Sequence, residues 1–191
     1  MTELEQYIQS YFGVTREEIL DISGFFRETQ LRKGAYFLKA GQTCNQLSFH
    51  KSGIIRVYSA YGDKEITQWI STQGYFVADL GGIVFNEPAR HHIQALTDCE
   101  LYTIDRADYN RLGQVVPRWH ELEKLFIARC FTTMENRVRT LLSMSASERY
   151  QQLFAERREL FNQVPLQYLA SMMGMTPETL SRLRKKDGQL G

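Results

Sequence analysis

The segment from Leu166 to Leu183 places small and apolar residues at the offsets that two helices joined by a tight turn require. Ala170 leaves room where the two backbones approach, and Gly174 suits the turn because glycine tolerates a positive φ. Apolar side chains stand where they would fill the wedge between the helices: Leu169, Met173, Met175, Leu180 and Leu183. The pattern predicts a helix–turn–helix, and the alternative is an ordinary helical hairpin with a solvated charged face.

The second helix of this pair has a start signal and a polar face. Thr176 is a good N-cap, Pro177 fits the first turn, and Glu178 opposes the positive helix end. With Leu180 and Leu183 turned inward, the opposite face carries Glu178, Ser181, Arg182 and Lys185. Such a face suits the major groove, because Arg donates to guanine and Glu accepts from cytosine. The side chains expected to hold phosphates are Thr176, Thr179, Lys185 and Lys186.

Basic charge is concentrated in this part of the chain. The whole chain has 23 basic and 22 acidic residues and a net charge of +1, which excludes a globally basic nucleic-acid binder. Residues 1–145 carry 16 basic and 17 acidic side chains, whereas residues 146–191 carry 7 and 5. Between residues 176 and 186, four basic residues accompany one acid. The basic site is therefore local, and it lies on a predicted helix.

Between residues 31 and 105 the sequence has the pattern of short β-strands. Runs rich in Tyr, Phe, Ile and Val alternate with glycines, and Gly62-Asp63 separates two such runs, which predicts a hairpin over residues 54–70. Two helices are predicted ahead of this region, one over residues 4–12 and one that begins after the N-cap Thr15. We expect an α+β fold in which an antiparallel β sandwich or barrel is flanked by helices.

A long helix with an apolar seam is predicted from Pro117 to Met144, since proline fits a first helical position. The seam has the seven-residue repeat of a helix that pairs with a copy of itself, through Ile127, Cys130, Met134, Val138 and Leu141. At about 42 Å the helix exceeds what a small domain covers. Dimerisation is therefore favoured over a single amphipathic helix buried in a monomer. The predicted domains are 1–116, the dimerisation helix 117–144 and the helix–turn–helix domain 145–191.

Other patterns argue against secreted, membrane and enzymatic classes. The acidic start lacks the cationic and apolar regions of a signal peptide, and no apolar run of about 20 residues is present. The three cysteines form neither a disulfide framework nor a metal pattern, so a cytoplasmic location is expected. The sequence contains neither a nucleophile–base motif nor a glycine-rich phosphate loop, so we expect no catalytic residues.

A metal site is not expected either. His91 and His92 with Glu87 suggest a cupin-like metal centre, but neighbouring residues on a strand point to opposite faces and do not easily bind one ion. His50 and His120 are isolated and are interpreted as ordinary residues. A cupin-type metalloenzyme, which rests only on the β roll and this histidine pair, is the third alternative.

Together these segments resemble the CRP/FNR family of bacterial transcription regulators over almost the whole chain. The resemblance is carried by Lys33-Gly34, Ala40-Gly41, Phe49, Ser52–Arg56, Gly74–Phe76, Ser147–Tyr150 and Thr176–Arg182. It implies a cyclic-nucleotide-binding-like β roll (a double-stranded β-helix), a long dimerisation helix and a C-terminal helix–turn–helix domain. It also implies a cytoplasmic homodimer that binds a pseudo-palindromic operator in double-stranded DNA, with RNA polymerase as a further partner and no membrane.

The DNA-binding end departs from the family pattern in two ways. Glu178 and Arg182 match the base-reading positions, but Pro177 stands where members often have another base-contacting arginine, which implies a different operator. Between a helix over Arg149–Phe161 and Pro165 there is no room for the β hairpin of the usual winged form. The alternative function is therefore a small-ligand-binding or interaction module whose DNA-binding domain has lapsed.

The effector region departs as well. Members that bind cyclic AMP have a Gly-Glu pair in a phosphate-binding cassette, and here Ala78-Asp79 replaces it, with a side chain one methylene shorter. Arg90 is the only nearby arginine and lies one residue out of register. The resemblance therefore implies an unknown small-molecule effector, or none, rather than a cyclic nucleotide. The candidate effector-binding residues are Ala78, Asp79, Leu80 and Arg90.

Overall fold

The computed structural model describes residues 1–187. Its helices are α1 (Glu3–Phe12), α2 (Arg16–Ser23), α3 (Leu80–Phe85), α4 (Arg106–Val115), α5 (Trp119–Ser143), α6 (Ala146–Glu156), α7 (Leu160–Gln163), α8 (Leu166–Met172) and α9 (Pro177–Asp187). Its strands are β1 (Arg27–Leu31), β2 (Tyr36–Leu38), β3 (Gln46–Ser52), β4 (Ile55–Tyr61), β5 (Lys64–Ser71), β6 (Phe76–Val77), β7 (His92–Ala95) and β8 (Cys99–Asp105).

The strands form two four-stranded sheets. One has the order β1-β8-β3-β6 and the other the order β2-β7-β4-β5. The pairing is antiparallel where β3 meets β8, with Ser48 opposite Thr103, and where β2 meets β7, with Tyr36 opposite Gln94. β4 and β5 are neighbours on either side of Gly62, which confirms the predicted hairpin. The predicted fold class, antiparallel sheets flanked by helices with a long helix and C-terminal helices, is confirmed.

The chain forms two compact units. The first unit comprises Met1–Val57 and Ile70–Phe131. Aromatic side chains hold its helices to the first sheet: Phe126 of α5 stacks on Phe12 of α1 with ring centroids 4.9 Å apart and meets Phe76 of β6 edge-on at 5.0 Å. Each of its first two helices begins with a capping box, and the one that precedes α2 confirms the predicted N-cap at Thr15.

The second unit comprises Tyr58–Trp69 and the described residues from Thr132 onward. Its hairpin contacts α8 through the Thr67 amide, which donates to the Ser171 hydroxyl at 2.9 Å. The core of the unit is made by buried side chains of four short helices: Tyr150, Leu160, Phe161, Leu169, Ala170, Met172, Met173 and Leu180. A hairpin from the β region therefore belongs to the same compact unit as the helix–turn–helix.

Several helix boundaries differ from the sequence-based expectation. The long helix begins at Trp119 rather than Pro117, because residues 117–118 form a turn in which the Trp119 amide donates to the Val116 carbonyl at 2.9 Å. It ends at Ser143, one residue before the expected Met144. The helix α4 is an element that the sequence pattern did not predict.

The single helix expected over Arg149–Phe161 is wrong. The chain leaves the helical conformation at Arg157, whose φ is −148°, and α7 begins three residues later. The break lets the ring of Phe161 fold back onto α6, where its centroid lies 5.7 Å from that of Tyr150 and 5.3 Å from that of Phe154. Aromatic packing therefore outweighs helix continuity at this point.

Candidate nucleic-acid interface

The turn between α8 and α9 has the geometry that its sequence predicts. Gly174 adopts φ +65°, and its amide donates to the Ser171 carbonyl at 3.0 Å. The Met175 amide donates to the carbonyl of Ala170, also at 3.0 Å, which completes a Schellman motif. A Cβ on Gly174 would lie 3.3 Å from Cδ2 of Leu141, so the site has little room for a side chain. The turn thus depends on glycine both for its backbone conformation and for space.

The start of α9 is fixed by a side-chain cap. The Thr179 amide donates to Oγ1 of Thr176 at 3.2 Å, as expected of an N-cap. The pKa of the Glu178 carboxyl lies below its ordinary value, because the carboxylate accepts from its own backbone amide and from the Thr176 hydroxyl. This glutamate is therefore an ionised acceptor at neutral pH, the form that can accept from a base amino group.

The structure brings the predicted DNA-facing side chains together on one side of α9. The side chain of Leu180 is fully buried on one side of α9, so the opposite side of the helix faces outward. Glu178, Arg182, Lys185 and Lys186 are exposed, and Thr179 and Ser181 are half-buried. A shallow groove of about 540 Å³ runs along this face and is lined by Leu166, Pro177, Glu178, Ser181, Arg182 and Lys185. One exposed face therefore carries acceptor and donor groups.

The predicted seam of α5 is largely exposed in the single chain. Side chains of Ile127, Met134, Val138 and Leu141 are exposed, and that of Cys130 is half-buried. Sequence reasoning missed further exposed apolar residues on this helix, of which Phe131 at 69% and Leu142 at 83% are the most exposed. They lie beside the seam positions, so only the total apolar content of the helix could have indicated them.

The candidate effector residues lie around the start of α3, in the first unit. Asp79 occupies the N-cap position without a side-chain cap hydrogen bond, and its amide donates to Sγ of the buried Cys44 at 3.5 Å. Ala78 and Leu80 are half-buried, whereas Arg90 is exposed in the bend before β7. Three of the four residues, Ala78, Asp79 and Leu80, therefore lie together at the start of α3, and Arg90 lies in a separate segment.

The start of α3 bears on the expectation that the effector is not a cyclic nucleotide. The phosphate would have to meet the backbone amides at the start of α3. The carboxylate of Asp79 already lies there, 3.6 Å from the position of a Cβ on Gly81 and 3.2 Å from that on Gly82. A negative side chain at this place repels a second anion.

The adjacent histidines are divided between a bend and a strand. His91 lies in the bend before β7 and only His92 belongs to the strand, so the expectation that both share a strand was wrong. The Nδ1 atom of His92 accepts from the Ala40 amide at 3.3 Å, and burial lowers the pKa of His91. Among residues 1–187, no group of three or more His, Cys, Asp or Glu side chains is placed to hold a metal ion.

One buried histidine is more unusual than its sequence context suggested. His50 is fully buried in β3, and its Nδ1 atom lies 3.2 Å from the Ser71 hydroxyl. Its Nε2 atom has no hydrogen-bond partner among the described residues. Burial lowers the pKa of His50 to about 4, so the ring is neutral in the folded protein near pH 7.

Comparison with known proteins agrees with this architecture. The family model for the cyclic nucleotide-binding domain matches residues 28–114, the region of the two sheets. No curated protein sequence matches the chain. None of the helices within residues 1–187 has the length and apolarity that a membrane-spanning segment needs.

Solved structures share the fold over most of the chain. FixK2 from Bradyrhizobium japonicum superposes with a TM-score of 0.73 at 16% identity, covering 87% of this chain and 86% of its own. A protein from Eubacterium rectale described as a transcriptional regulator of the crp/fnr family gives 0.70 at 18% identity, covering 97% and 89%. The catabolite activator protein of Thermus thermophilus gives 0.59 at 20% identity, covering 97% and 88%.

These matches define a class of protein: a cyclic nucleotide-binding domain followed by a long helix and C-terminal helices. The chain has the fold of the CRP/FNR transcription regulators, and the fold that the sequence resemblance implied is confirmed.

Proposed function

We propose that this chain is a sequence-specific DNA-binding transcription regulator in which α9 is the recognition helix. The observation that carries the proposal is the exposed face of α9, where Glu178 and Arg182 stand outward over the buried Leu180. In this role Arg182 donates to guanine and Glu178 accepts from cytosine, while Thr176, Thr179, Lys185 and Lys186 hold phosphates. Ser181, which precedes Arg182 on α9, also contacts the DNA in this proposal.

The regulator acts as a homodimer whose two copies pair along α5. The exposed apolar side chains of this helix, from Ile127 to Leu142, support the proposal because water contact with so many of them is unfavourable. The paired residues are Ile127, Cys130, Met134, Val138 and Leu141. A two-fold axis along α5 sends two recognition helices into successive major grooves, so the half-sites of the operator lie about 34 Å apart.

The remaining parts of the proposal concern the sensor and the partners. The β roll of residues 1–116 is a sensor for a small molecule other than a cyclic nucleotide, or has lost its effector; the support is the carboxylate of Asp79 beside Gly81 and Gly82 at the start of α3. The domain boundaries at 116 and 144 and a cytoplasmic location stay predictions. So does RNA polymerase as a partner. The protein is not an enzyme in this proposal.

The test is selection from a random pool of double-stranded DNA with the purified full chain. We expect an enriched pseudo-palindrome with two half-sites about ten base pairs apart, and an affinity that falls steeply with salt because phosphate contacts release counterions. No enriched motif, with or without a small-molecule extract, would contradict the proposal and favour an interaction module with a lapsed DNA-binding domain.

A further inference from the structure

The end of α8 is held by two arginines whose role the sequence patterns did not indicate. The carbonyl of Met172 accepts from Nη2 of Arg137. The next carbonyl, that of Met173, accepts from Nε of Arg149 at 2.7 Å, and the Gly174 carbonyl lies 3.4 Å from Nη2 of the same guanidinium. Three successive carbonyls of the turn that leads into α9 are therefore bound by two cations.

The same two arginines are tied to the end of α5. Arg137 is itself a residue of α5, and its guanidinium lies 5.6 Å from the centroid of the Trp69 ring. Arg149, on α6, also donates through Nη1 to the carbonyl of Met144 and lies 3.4 Å from the carbonyl of Leu141. The two guanidinium groups thus connect the C-terminal part of α5 with the turn between α8 and α9, and all of these contacts lie inside the second unit.

The chemistry of these contacts favours arginine. The carbonyls at a helix end lack intrahelical partners and carry partial negative charge, which a cation stabilises. A guanidinium presents five N–H donors in a rigid planar fork and can serve several carbonyls at fixed angles. A lysine keeps the charge but offers one compact ammonium on a flexible stem, so it does not reproduce the bridge.

We propose that Arg137 and Arg149 are positioning residues that fix the angle between α9 and α5, and that they thereby set the half-site spacing which the dimer accepts. The inference rests on the proposed function. Its geometric basis is the short path from the bridged carbonyls to the recognition helix, since Gly174 is two residues before the cap at Thr176. In a two-fold dimer built on α5, a change in this angle is a change in the distance between the two recognition helices.

The test uses the operator selected by the unaltered chain, a set of operators with the half-sites moved one or two base pairs closer or further apart, and a single half-site. The unaltered chain should lose about tenfold or more in affinity when the spacing changes, an effect of about 1.4 kcal/mol. Arg149→Met should bind the single half-site as the unaltered chain does, with the same base preferences. Its affinities for the different spacings should agree within about threefold, which is less than 1 kcal/mol. Arg149→Lys should lie between the two.

Arg139→Met is the matched control. Arg139 stands two residues from Arg137 on α5 and donates to Asn136 instead of to the turn, so this variant should keep the spacing preference of the unaltered chain.

If Arg149→Met does not fold, Arg137→Met and Arg149→Lys carry the test, and loss of spacing preference in either supports the inference. A spacing preference that persists in the folded variants would overturn it, as would a loss of single half-site binding as large as the loss on the operator. Failure of the proposed function looks different, because the unaltered chain would then select no motif.

Discussion

The long helix α5 has two halves with opposite relations to solvent. In the first half, Trp119, Leu122 and Phe126 are buried within the first unit. In the second half, five apolar side chains are exposed in the single chain: Phe131, Met134, Val138, Leu141 and Leu142. Two halves of one helix with similar apolar content therefore differ: one is buried in the core of the first unit, and the other carries the surface that the proposed dimer would cover.

The largest expected effect tests this contrast with two phenylalanines of the same helix. Phe126→Ala should lower the free energy of unfolding by about 3–5 kcal/mol, because it empties a site packed against Phe12 and Phe76. Phe131→Ala removes the same group from a side chain that is 69% exposed, and should leave the stability of the dilute single chain within about 0.5 kcal/mol. Chemical denaturation measures both.

The second phenylalanine should instead affect assembly. If α5 pairs with its copy, Phe131→Ala raises the dissociation constant of the dimer, which sedimentation measures over a concentration series. An equal loss of unfolding free energy for the two variants in dilute solution would contradict the contrast between the halves.

A second prediction separates the two units by pH. All four histidines of the chain, His50 among them, lie in the first unit. Because the pKa of His50 is lowered to about 4 in the folded protein and is near 6.5 when unfolded, the unfolded state binds a proton that the folded state does not. Its contribution to stability is therefore complete above pH 6.5 and is lost as the pH falls toward 4, by roughly 3 kcal/mol.

The measurement is the free energy of unfolding between pH 7 and pH 4 for the unaltered chain and His50→Gln. The difference between the two should shrink toward low pH, since only the unaltered chain loses the histidine contribution. Amide hydrogen exchange should assign the acid-sensitive opening to the first unit. A pH profile that is parallel in the two proteins would contradict the burial argument.

A smaller effect is expected at the turn of the second unit. Gly174→Ala should cost about 1–2 kcal/mol, because alanine is strained at φ +65° and its Cβ would lie 3.3 Å from Leu141. Gly113→Ala is the control in the first unit: Gly113 lies inside α4, where its Cβ would make an ordinary contact with Trp119 at 3.5 Å. Alanine favours a helix, so the control should be neutral or stabilising. Thermal unfolding followed by circular dichroism compares them.

The helix–turn–helix was predictable because its determinants are local. The small residue, the turn glycine and the N-cap of α9 act within a few residues of one another, and the structure shows Ala170, Gly174 and Thr176 in the predicted conformations. The helix break at Arg157 was not predictable in the same way, because it is set by the packing of Phe161 on rings of another helix.

The role of the bridging arginines was hidden for a similar reason. Arg149 binds carbonyls of residues that lie both before and after it in the chain, and a carbonyl has no sequence signature. Asp79 illustrates an intermediate case: the departure from the cassette pattern was visible in the sequence, but the place of its carboxylate over the start of α3 required the structure.

The central claim is that α9 reads DNA bases through Arg182. The most direct measurement is the affinity of Arg182→Ala for the selected operator, for operators with each base pair changed in turn, and for random DNA, with Lys33→Ala as a control that removes an exposed charge from the first unit. We expect Arg182→Ala to lose about 1–3 kcal/mol on the operator and its preference at one base pair of each half-site, and we expect the control to be unchanged. An equal loss on the operator and on random DNA would contradict it.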